Sequence, residues 1–325
     1  MARDTRKADL TAYGTVLEPT EAMQPILARP IRDALMAWLT EIWSATELQA
    51  VGLKPRSRAI FDGPPGVGKT TLAHHLAARL GLTMLAVHPE RIIDKWLGST
   101  GRNIGKLFDM ATGEDGEAPI MLFFDEFDAI AMKRKQTDQS AGDEQNAWVN
   151  TLLQRIDRHD GYIVAATNHG KHIDPAVWRR FDIHVHLELP GQEERERILA
   201  RYLAPYGLPK DSLRRLGEAF ETAAPALMRQ WAEGLKRNIV LGPKIGWDMR
   251  RDAVIDRLIA TVSPHPDLGK PRLWSHGAKD DAVRKMPWPL PMAADVMEET
   301  EPSDTIGAGN VLTFPQESGS RQEAR

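Results

Sequence analysis

The feature that most constrains the fold is the stretch "AIFDGPPGVGKTT", Ala59 to Thr71. An apolar strand candidate leads into a glycine-rich loop, and the following "TLAHHLAARL" has the pattern of a helix that ends at Gly81. Glycines at Gly63, Gly66 and Gly68 permit a turn whose backbone N–H groups face inward around phosphate groups. The spacing G-x-x-x-x-G-K-T between a strand and a helix therefore predicts a polyphosphate site in an α/β sheet.

Within this loop, Lys69 supplies a mobile positive charge for the β- and γ-phosphates of a nucleotide, and Thr70 is placed to bind Mg²⁺. A chance glycine-rich turn is the alternative, which the complete motif with both flanks disfavours. The residues predicted to contact ATP are Gly63, Pro64, Pro65, Gly66, Val67, Gly68, Lys69, Thr70, Thr71 and Asp125.

A second motif, "PIMLFFDEFDAI", places two carboxylates after a run of apolar residues. Asp125 is expected at the carboxyl end of this strand, where ligands of open α/β sheets collect, and it is predicted to hold Mg²⁺ together with Thr70. Glu126 is predicted to orient and deprotonate the attacking water. The pair thus indicates ATP hydrolysis as well as binding. The alternative is an acidic pair that only favours the start of a helix.

The chain divides by pattern into four segments. Residues 1–57 form a leader with an amphipathic helix that is expected to pack on the ATPase core. Residues 58–190 alternate strand and helix candidates, which predicts a parallel sheet covered on both faces. Residues 191–262 contain helical patterns only and are predicted to form a small α-helical lid subdomain. Residues 263–325 are a proline-rich extension with an acidic tail that is predicted to be disordered.

Composition narrows the classes of function. The 325-residue chain carries a formal net charge of -3, which favours neither a nucleic acid nor an anionic membrane as partner. The absence of cysteine excludes disulfides and thiolate metal sites. The start of the chain lacks an apolar signal core, and no apolar run reaches the ~18 residues of a membrane span. We therefore expect a soluble, cytoplasmic protein.

Four motifs in order, "GPPGVGKT", "MLFFDEFD", "VAATNH" and "IDPAVWRRFD", resemble those of the AAA+ ATPases, and specifically of the AAA clade that remodels proteins. The resemblance runs from just before Arg58 to about Val262. It implies an α/β P-loop NTPase core followed by a helical lid, with ATP and Mg²⁺ as cofactors. It also implies a homo-oligomeric ring, most often a hexamer.

The resemblance assigns further residues to the site. Asn168 is similar to the sensor-1 residue, which helps to position the water at the end of a strand. Arg180, directly before Phe181, is similar to the arginine finger that completes the site of a neighbouring subunit, with Arg179 as a second candidate. The alternative is a solvated surface pair of arginines. Ile183 stands where the family commonly has another arginine, so a finger of that spacing is absent.

The stretch "DKWLGST" resembles the first pore loop of the family. Lys95, Trp96, Leu97 and Gly98 are the residues concerned, and Trp96 would grip an extended polypeptide in the central channel without needing a particular sequence. Stacking on single-stranded nucleic acid and burial as a structural tryptophan are the alternatives. The polar stretch from Lys133 to Trp148 is either a second channel loop or a solvated connection.

Three further segments receive interpretations of their own. The lid motif near the nucleotide corresponds to "TAAPALMRQ", Thr222 to Gln230, and no sensor-2 arginine is assigned in the lid. The stretch "YGTVLEP", Tyr13 to Pro19, is interpreted as a wrap around the adenine. The proline-flanked "GKPRLWSHG" and "MPWPLP" are interpreted as contacts with a neighbouring subunit or another partner.

Together these patterns predict an ATP-hydrolysing ring motor that remodels or threads a polypeptide through a central pore. The main alternative is a nucleotide-gated ring that switches a separately encoded effector, such as a protease or nuclease, without translocation. A DNA-handling ATPase is the third hypothesis.

Overall fold

The computed structural model describes residues 9–92, 99–112, 119–131 and 139–298. Its centre is a six-stranded sheet in the spatial order β1-β3-β4-β5-β2-β6. All neighbouring pairs are parallel except β1 with β3, which are antiparallel. The strands are β1 Gly14–Leu17, β2 Arg58–Asp62, β3 Met84–Val87, β4 Met121–Phe124, β5 Ile163–Thr167 and β6 Ile183–His186.

Helices cover both faces of this sheet, and further helices follow it along the chain. Those that accompany the sheet are α1 Arg29–Trp43, α2 Ala45–Ala50, α3 Lys69–Arg79, α4 Pro89–Ile92, α5 Ser99–Thr112, α6 Asp128–Ala131, α7 Gln139–Arg158 and α8 Pro175–Trp178. Those that follow it are α9 Gln192–Leu203, α10 Lys210–Ala219, α11 Pro225–Ile245, α12 Arg251–Thr261, α13 Arg272–His276, α14 Asp281–Arg284 and α15 Ala293–Glu298.

The two faces of the sheet carry separate apolar cores because side chains alternate along each strand. In β2, Ile60 points to the core that contains the buried residues of α5 and α7. Its neighbours Ala59 and Phe61 point to the opposite core, which contains those of α1 and α3. Every side chain in β3 and β4 is buried, as expected for parallel strands covered on both sides.

The observed sheet confirms the predicted fold class, a mixed α/β core with a mostly parallel sheet followed by helices. The sequence did not predict β1. This four-residue strand joins the sheet edge by pairing Gly14 with Val87 and Leu17 with Met84. The stretch Tyr13 to Pro19 therefore contributes to the sheet edge, which corrects its interpretation as a wrap around the adenine. Among the described residues, no helix is long and apolar enough to cross a bilayer.

The helices after the sheet, from α9 onward, share a third apolar core and form a helical subdomain that we call the lid. This core extends past residue 262. Leu273 and Trp274 of α13 and Val283 of α14 are buried in it together with α9, α11 and α12. The indole N–H of Trp274 donates to the Val262 carbonyl at 2.6 Å. The interpretation of "GKPRLWSHG" as a contact with another subunit is thus wrong for Trp274, because its own lid already buries it.

Candidate functional site

The glycine-rich loop after β2 has the backbone conformation that its glycines allow. Gly63, Gly66 and Gly68 have φ angles of 149°, 75° and 99°, a region that side chains with a Cβ rarely adopt. A Cβ on Gly63 would also clash with the carbonyl oxygen of Leu187. The loop therefore needs these glycines both for its turns and for its close packing, and Gly68 leads directly into α3.

Lys69, the first residue of α3, is only 7% exposed. Its Nζ donates to the carbonyl oxygens of Gly63 at 2.8 Å and Pro64 at 2.9 Å, and to Oδ1 of Asn168 at 2.7 Å. Burial lowers the pKa of Lys69, while the negative charge of Asp125 opposes that shift. The three hydrogen bonds hold the ammonium group at the mouth of the loop, where the end of β5 meets it.

Thr70 and the residues after β4 form the acidic side of the site. The Thr70 hydroxyl donates to Oδ2 of Asp125 at 2.8 Å, and the other carboxylate oxygen accepts the backbone N–H of Glu126 at 3.0 Å. A hydroxyl and a carboxylate are hard oxygen donors, so this pair fits Mg²⁺. Glu126 is exposed and has a φ of 46°. Among the residues that the structure describes, no other non-glycine residue has a positive φ. Such strain is concentrated at functional sites.

Asn168 follows β5, and its neighbours fix the loop that carries it. Thr167 donates its hydroxyl to Asp128 at 2.7 Å and accepts the backbone N–H of His169 at 2.9 Å. The Phe127 N–H donates to the Ala166 carbonyl at 2.8 Å, which ties the segment after β4 to the end of β5. The predicted residues Lys69, Thr70, Asp125, Glu126 and Asn168 thus meet where the parallel strands end, at what we call the carboxyl edge of the sheet.

These residues line one pocket, which we call the phosphate pocket, together with residues of the lid. Tyr202 of α9 and Pro225, Ala226 and Arg229 of α11 form its lid side. Sequence reasoning singled out neither Tyr202 nor Arg229. Arg229 falls within the segment Thr222 to Gln230 assigned to the lid motif, but only the folded lid shows that it reaches the pocket.

A second, mainly apolar pocket adjoins the first. It shares Gly68, Thr71, Tyr202 and Pro225 with the phosphate pocket, and the chain before α1 closes it. Its other lining residues are Met23, Gln24, Pro25, Ile26, Leu27, Val67, Ile198 and Arg201. The Arg201 guanidinium donates to the Gln24 carbonyl at 2.6 Å, which fastens this part of the leader to the lid.

Arg179 and Arg180 lie where the parallel strands begin, at the amino edge of the sheet. The Asp182 N–H next to them donates to the carbonyl of Arg58, the first residue of β2, at 3.1 Å. The glycine-rich loop follows the last residue of β2, four steps or about 13 Å further along the strand. Arg180 is half-buried: its Nε donates to both carboxylate oxygens of Asp157 at 3.3 Å and its Nη1 to the Ala176 carbonyl at 3.1 Å. Arg179 is exposed.

The structure therefore brings together the phosphate-loop residues, Asp125, Glu126 and Asn168, and leaves the two arginines apart from them. The predicted pore-loop residues Lys95, Trp96, Leu97 and Gly98 lie outside the described residues. The same holds for the first part of the polar stretch that begins at Lys133.

Comparison with known proteins gives a family match over the same part of the chain. Residues 59–189 match the family described as ATPase family associated with various cellular activities (AAA). An uncharacterised AAA family ATPase from Sinorhizobium fredii is 43% identical over 150 residues, which are 46% of this chain and 44% of the relative. A proteasome-activating nucleotidase from Methanopyrus kandleri is 32% identical over 188 residues, 55% of this chain and 42% of the relative.

A proteasome-activating nucleotidase from Thermococcus onnurineus is 35% identical over 188 residues, again 55% of this chain and 46% of the relative. The chain thus spans less than half the length of these curated relatives. The matched region contains the glycine-rich loop, both carboxylates, Asn168 and the two arginines.

Proposed function

We propose, from the premise that residues 59–189 of this chain are a domain of the AAA family, that the protein hydrolyses ATP in a homo-oligomeric ring and uses the cycle to remodel a polypeptide. The observation that carries the proposal is the meeting of Lys69, Thr70, Asp125, Glu126 and Asn168 in one pocket at the carboxyl edge of the sheet. A phosphate-binding loop facing two carboxylates and a polar side chain supports phosphoryl transfer to water.

ATP fits the two adjoining pockets in a specific orientation. The polyphosphate would lie along Gly63 to Thr71, where backbone N–H groups at the start of α3 and the Lys69 ammonium favour negative charge. The base would lie in the mainly apolar pocket between Ile26, Ile198 and Tyr202. Apolar walls with a few polar groups are typical of nucleoside sites.

Hydrolysis follows from the side chains at the far end of the phosphate pocket. Thr70 and Asp125 would hold Mg²⁺, which supplies positive charge to the β- and γ-phosphates. Glu126 accepts a proton from the water whose oxygen attacks the γ-phosphorus, and the bond to the β-phosphate oxygen breaks to release ADP. Asn168 orients the water from the end of β5. Its hydrogen bond with Lys69 connects the residue that orients the water to the residue that binds the phosphates.

A second copy of the chain would complete the site. Charge grows on the transferred phosphoryl group, and a guanidinium from a neighbouring subunit stabilises it. Arg180 is suited to this role because it lies about 13 Å or more from its own phosphate loop, at the other end of β2. Its bonds to Asp157 and Ala176 orient it, whereas Arg179 is exposed.

Two observations support a polypeptide as the substrate. The sequence "DKWLGST" resembles a pore loop. Two relatives are named proteasome-activating nucleotidases, a name that connects nucleotide hydrolysis with the activation of a proteasome. In our proposal Trp96, flanked by Lys95 and Leu97, grips the extended chain, and Gly98 lets the loop move. The same relatives' names favour a second candidate, a ring that switches a separately encoded protease and threads nothing.

One experiment separates the two candidates. ATPase rates and unfolding of a fluorescent, destabilised substrate protein are measured for wild type, Trp96→Ala and the control Trp43→Ala, which removes an exposed tryptophan of α1. Threading predicts that only Trp96→Ala loses substrate unfolding and substrate-stimulated ATPase activity. Full unfolding activity in Trp96→Ala would contradict threading, and stimulation by single-stranded DNA alone would favour the third hypothesis, a DNA-handling ATPase.

A further inference from the structure

The last turns of α11 extend beyond the apolar core of the lid. The large apolar side chains that this helix buries lie between Leu227 and Leu235. Nine large hydrophobic side chains are exposed among the described residues, and four of them belong to the stretch 240–247. These are Val240, Leu241, Ile245 and Trp247, with exposed fractions of 53%, 43%, 56% and 39%. Single exposed apolar residues are common, but such a cluster marks an interaction surface.

The geometry of this helix end places these side chains close together. Leu241 and Ile245 are one turn apart and share a face of α11. Gly246 ends the helix with a φ of 74°, and the Trp247 N–H turns back to donate to the Gly242 carbonyl at 2.9 Å. The Trp247 indole therefore lies against the last turn of the helix. We call the four exposed residues of 240–247 the lid patch.

The end of the described chain returns to the same helix. The Ala293 N–H at the start of α15 donates to the Pro205 carbonyl at 2.9 Å. The residue before that proline, Ala204, accepts a hydrogen bond from the Lys236 ammonium of α11 at 3.0 Å. Helix α15, which ends at Glu298, therefore begins beside the middle of α11.

Residues 299–325 follow α15 and lie outside the described residues. Three of their large apolar side chains fall within the four residues "VLTF", 311–314, and the fourth is Ile306. Thirteen residues lead from Glu298 to Val311, a length that spans up to about 43 Å when extended. From Lys236 to Ile245 the helix rises only about 14 Å. The segment 311–314 is thus within reach of the lid patch of its own chain.

The charges of the two segments are complementary. Residues 233–257, which include the lid patch, contain six basic and four acidic side chains. Lys244 is exposed between the apolar residues of the patch, and the Arg257 guanidinium lies 4.5 Å from the Trp247 ring centre. Residues 299–310 carry three acidic side chains and no basic one. Opposite charges beside an apolar contact steer its formation and fix its register.

We propose that residues 311–314 bind the lid patch of the same chain and cover it. The apolar side chains of the segment pack on those of the patch, while the acidic residues before it face Lys244. The contact removes apolar surface of both partners from water, which is the main source of its stability. Helix α11 begins at the phosphate pocket and rises about 30 Å to the patch, so this contact is independent of the proposed ATP site.

Disulfide formation between introduced cysteines tests the proposal, because the chain contains no other cysteine. In the full-length protein, the pair Lys244→Cys with Thr313→Cys is compared with the control pair Gln230→Cys with Thr313→Cys. Lys244 and Gln230 are both exposed residues of α11, and neither pair removes an apolar side chain. Gln230 is nearer than Lys244 to Lys236, beside which α15 begins. A tail that binds nowhere should therefore form the control disulfide at least as fast.

Binding to the patch predicts that the pair at Lys244 forms its disulfide within one chain about 10-fold faster than the control pair under mild oxidation. Adding Phe314→Asp should lower this rate to that of the control pair, whereas Ile306→Asp, outside the segment, should leave it unchanged. Equal rates for the two pairs, or no effect of Phe314→Asp, would overturn the proposal. A disulfide that forms equally fast between two copies, in a mixture of the single variants Lys244→Cys and Thr313→Cys, would overturn binding within one chain.

Discussion

The carboxyl edge and the amino edge of the central sheet differ in the functional groups that they carry. At the carboxyl edge, Lys69 donates to Asn168 at 2.7 Å and Thr70 donates to Asp125 at 2.8 Å, and all four residues line one pocket. At the amino edge, Arg180 is oriented by Asp157 and lies about 13 Å or more from the phosphate loop of its own chain. In our proposal one chain therefore carries both halves of a hydrolytic site, which would meet only when two copies of the chain pack together.

The largest expected effect lies at the carboxyl edge. Lys69→Ala removes the ammonium group that contacts the loop carbonyls and Asn168, so ATP Kd should rise by about 10- to 100-fold and hydrolysis should fall to background. Nucleotide binding and phosphate release measure both. Lys171→Ala, an exposed lysine in the loop after Asn168, is the control and should behave as wild type. Normal hydrolysis in Lys69→Ala would contradict ATP binding and hydrolysis at the carboxyl edge.

A smaller but still severe effect is expected at the amino edge. Arg180→Ala should lower kcat about 10³-fold, the range seen when a finger arginine is lost, while ATP Kd stays near the wild-type value. Arg179→Ala should have a much weaker effect, because this exposed side chain lacks the bonds that orient Arg180. Steady-state kinetics with separate ATP binding provides the comparison. A larger loss in Arg179→Ala would reverse the assignment of the two arginines.

The smallest expected effect concerns pH and again distinguishes the amino edge. Burial lowers the pKa of His159, and the charge of Arg58 lowers it further. The unfolded chain therefore binds the proton more readily, so the free energy of unfolding should fall as pH drops through the ordinary histidine range near 6.5. Urea unfolding at pH 7.5 and 5.5 should show this loss, reduced in His159→Gln. The same loss in wild type and variant would exclude His159 as its source.

The carboxyl edge was largely predictable from sequence because its chemistry is local. Gly63 to Thr71 form one continuous motif, and the apolar run before Asp125 indicates a buried strand that ends at a carboxylate. The five parallel strands were predictable for the same reason: apolar runs alternate with helical periodicity. The roles given to Glu126, Asn168 and Arg180 remain predictions, now with a geometry that fits them.

Other features depend on distant packing and were not predictable. Strand β1 exists because Gly14 to Leu17 pair with β3, a strand distant along the chain. Trp274 is buried because α13 packs into the core of the lid, where its ring contacts Phe220, although the proline-flanked sequence around it shows no periodic pattern. Arg229 lines the phosphate pocket only because α11 begins against Gly66. None of these contacts is encoded in a short motif.

Mixing two inactive variants tests whether two copies of the chain share one hydrolytic site. In our proposal Glu126→Gln lacks the residue that accepts the proton and Arg180→Ala lacks the finger, so each alone should hydrolyse little ATP. In an equimolar mixture, an intact Glu126 meets an intact Arg180 at about one quarter of randomly formed head-to-tail interfaces. Activity should therefore reappear at about that fraction of wild type. If both variants bind ATP and co-assemble but the mixture stays inactive, the claim that two chains share one site is contradicted.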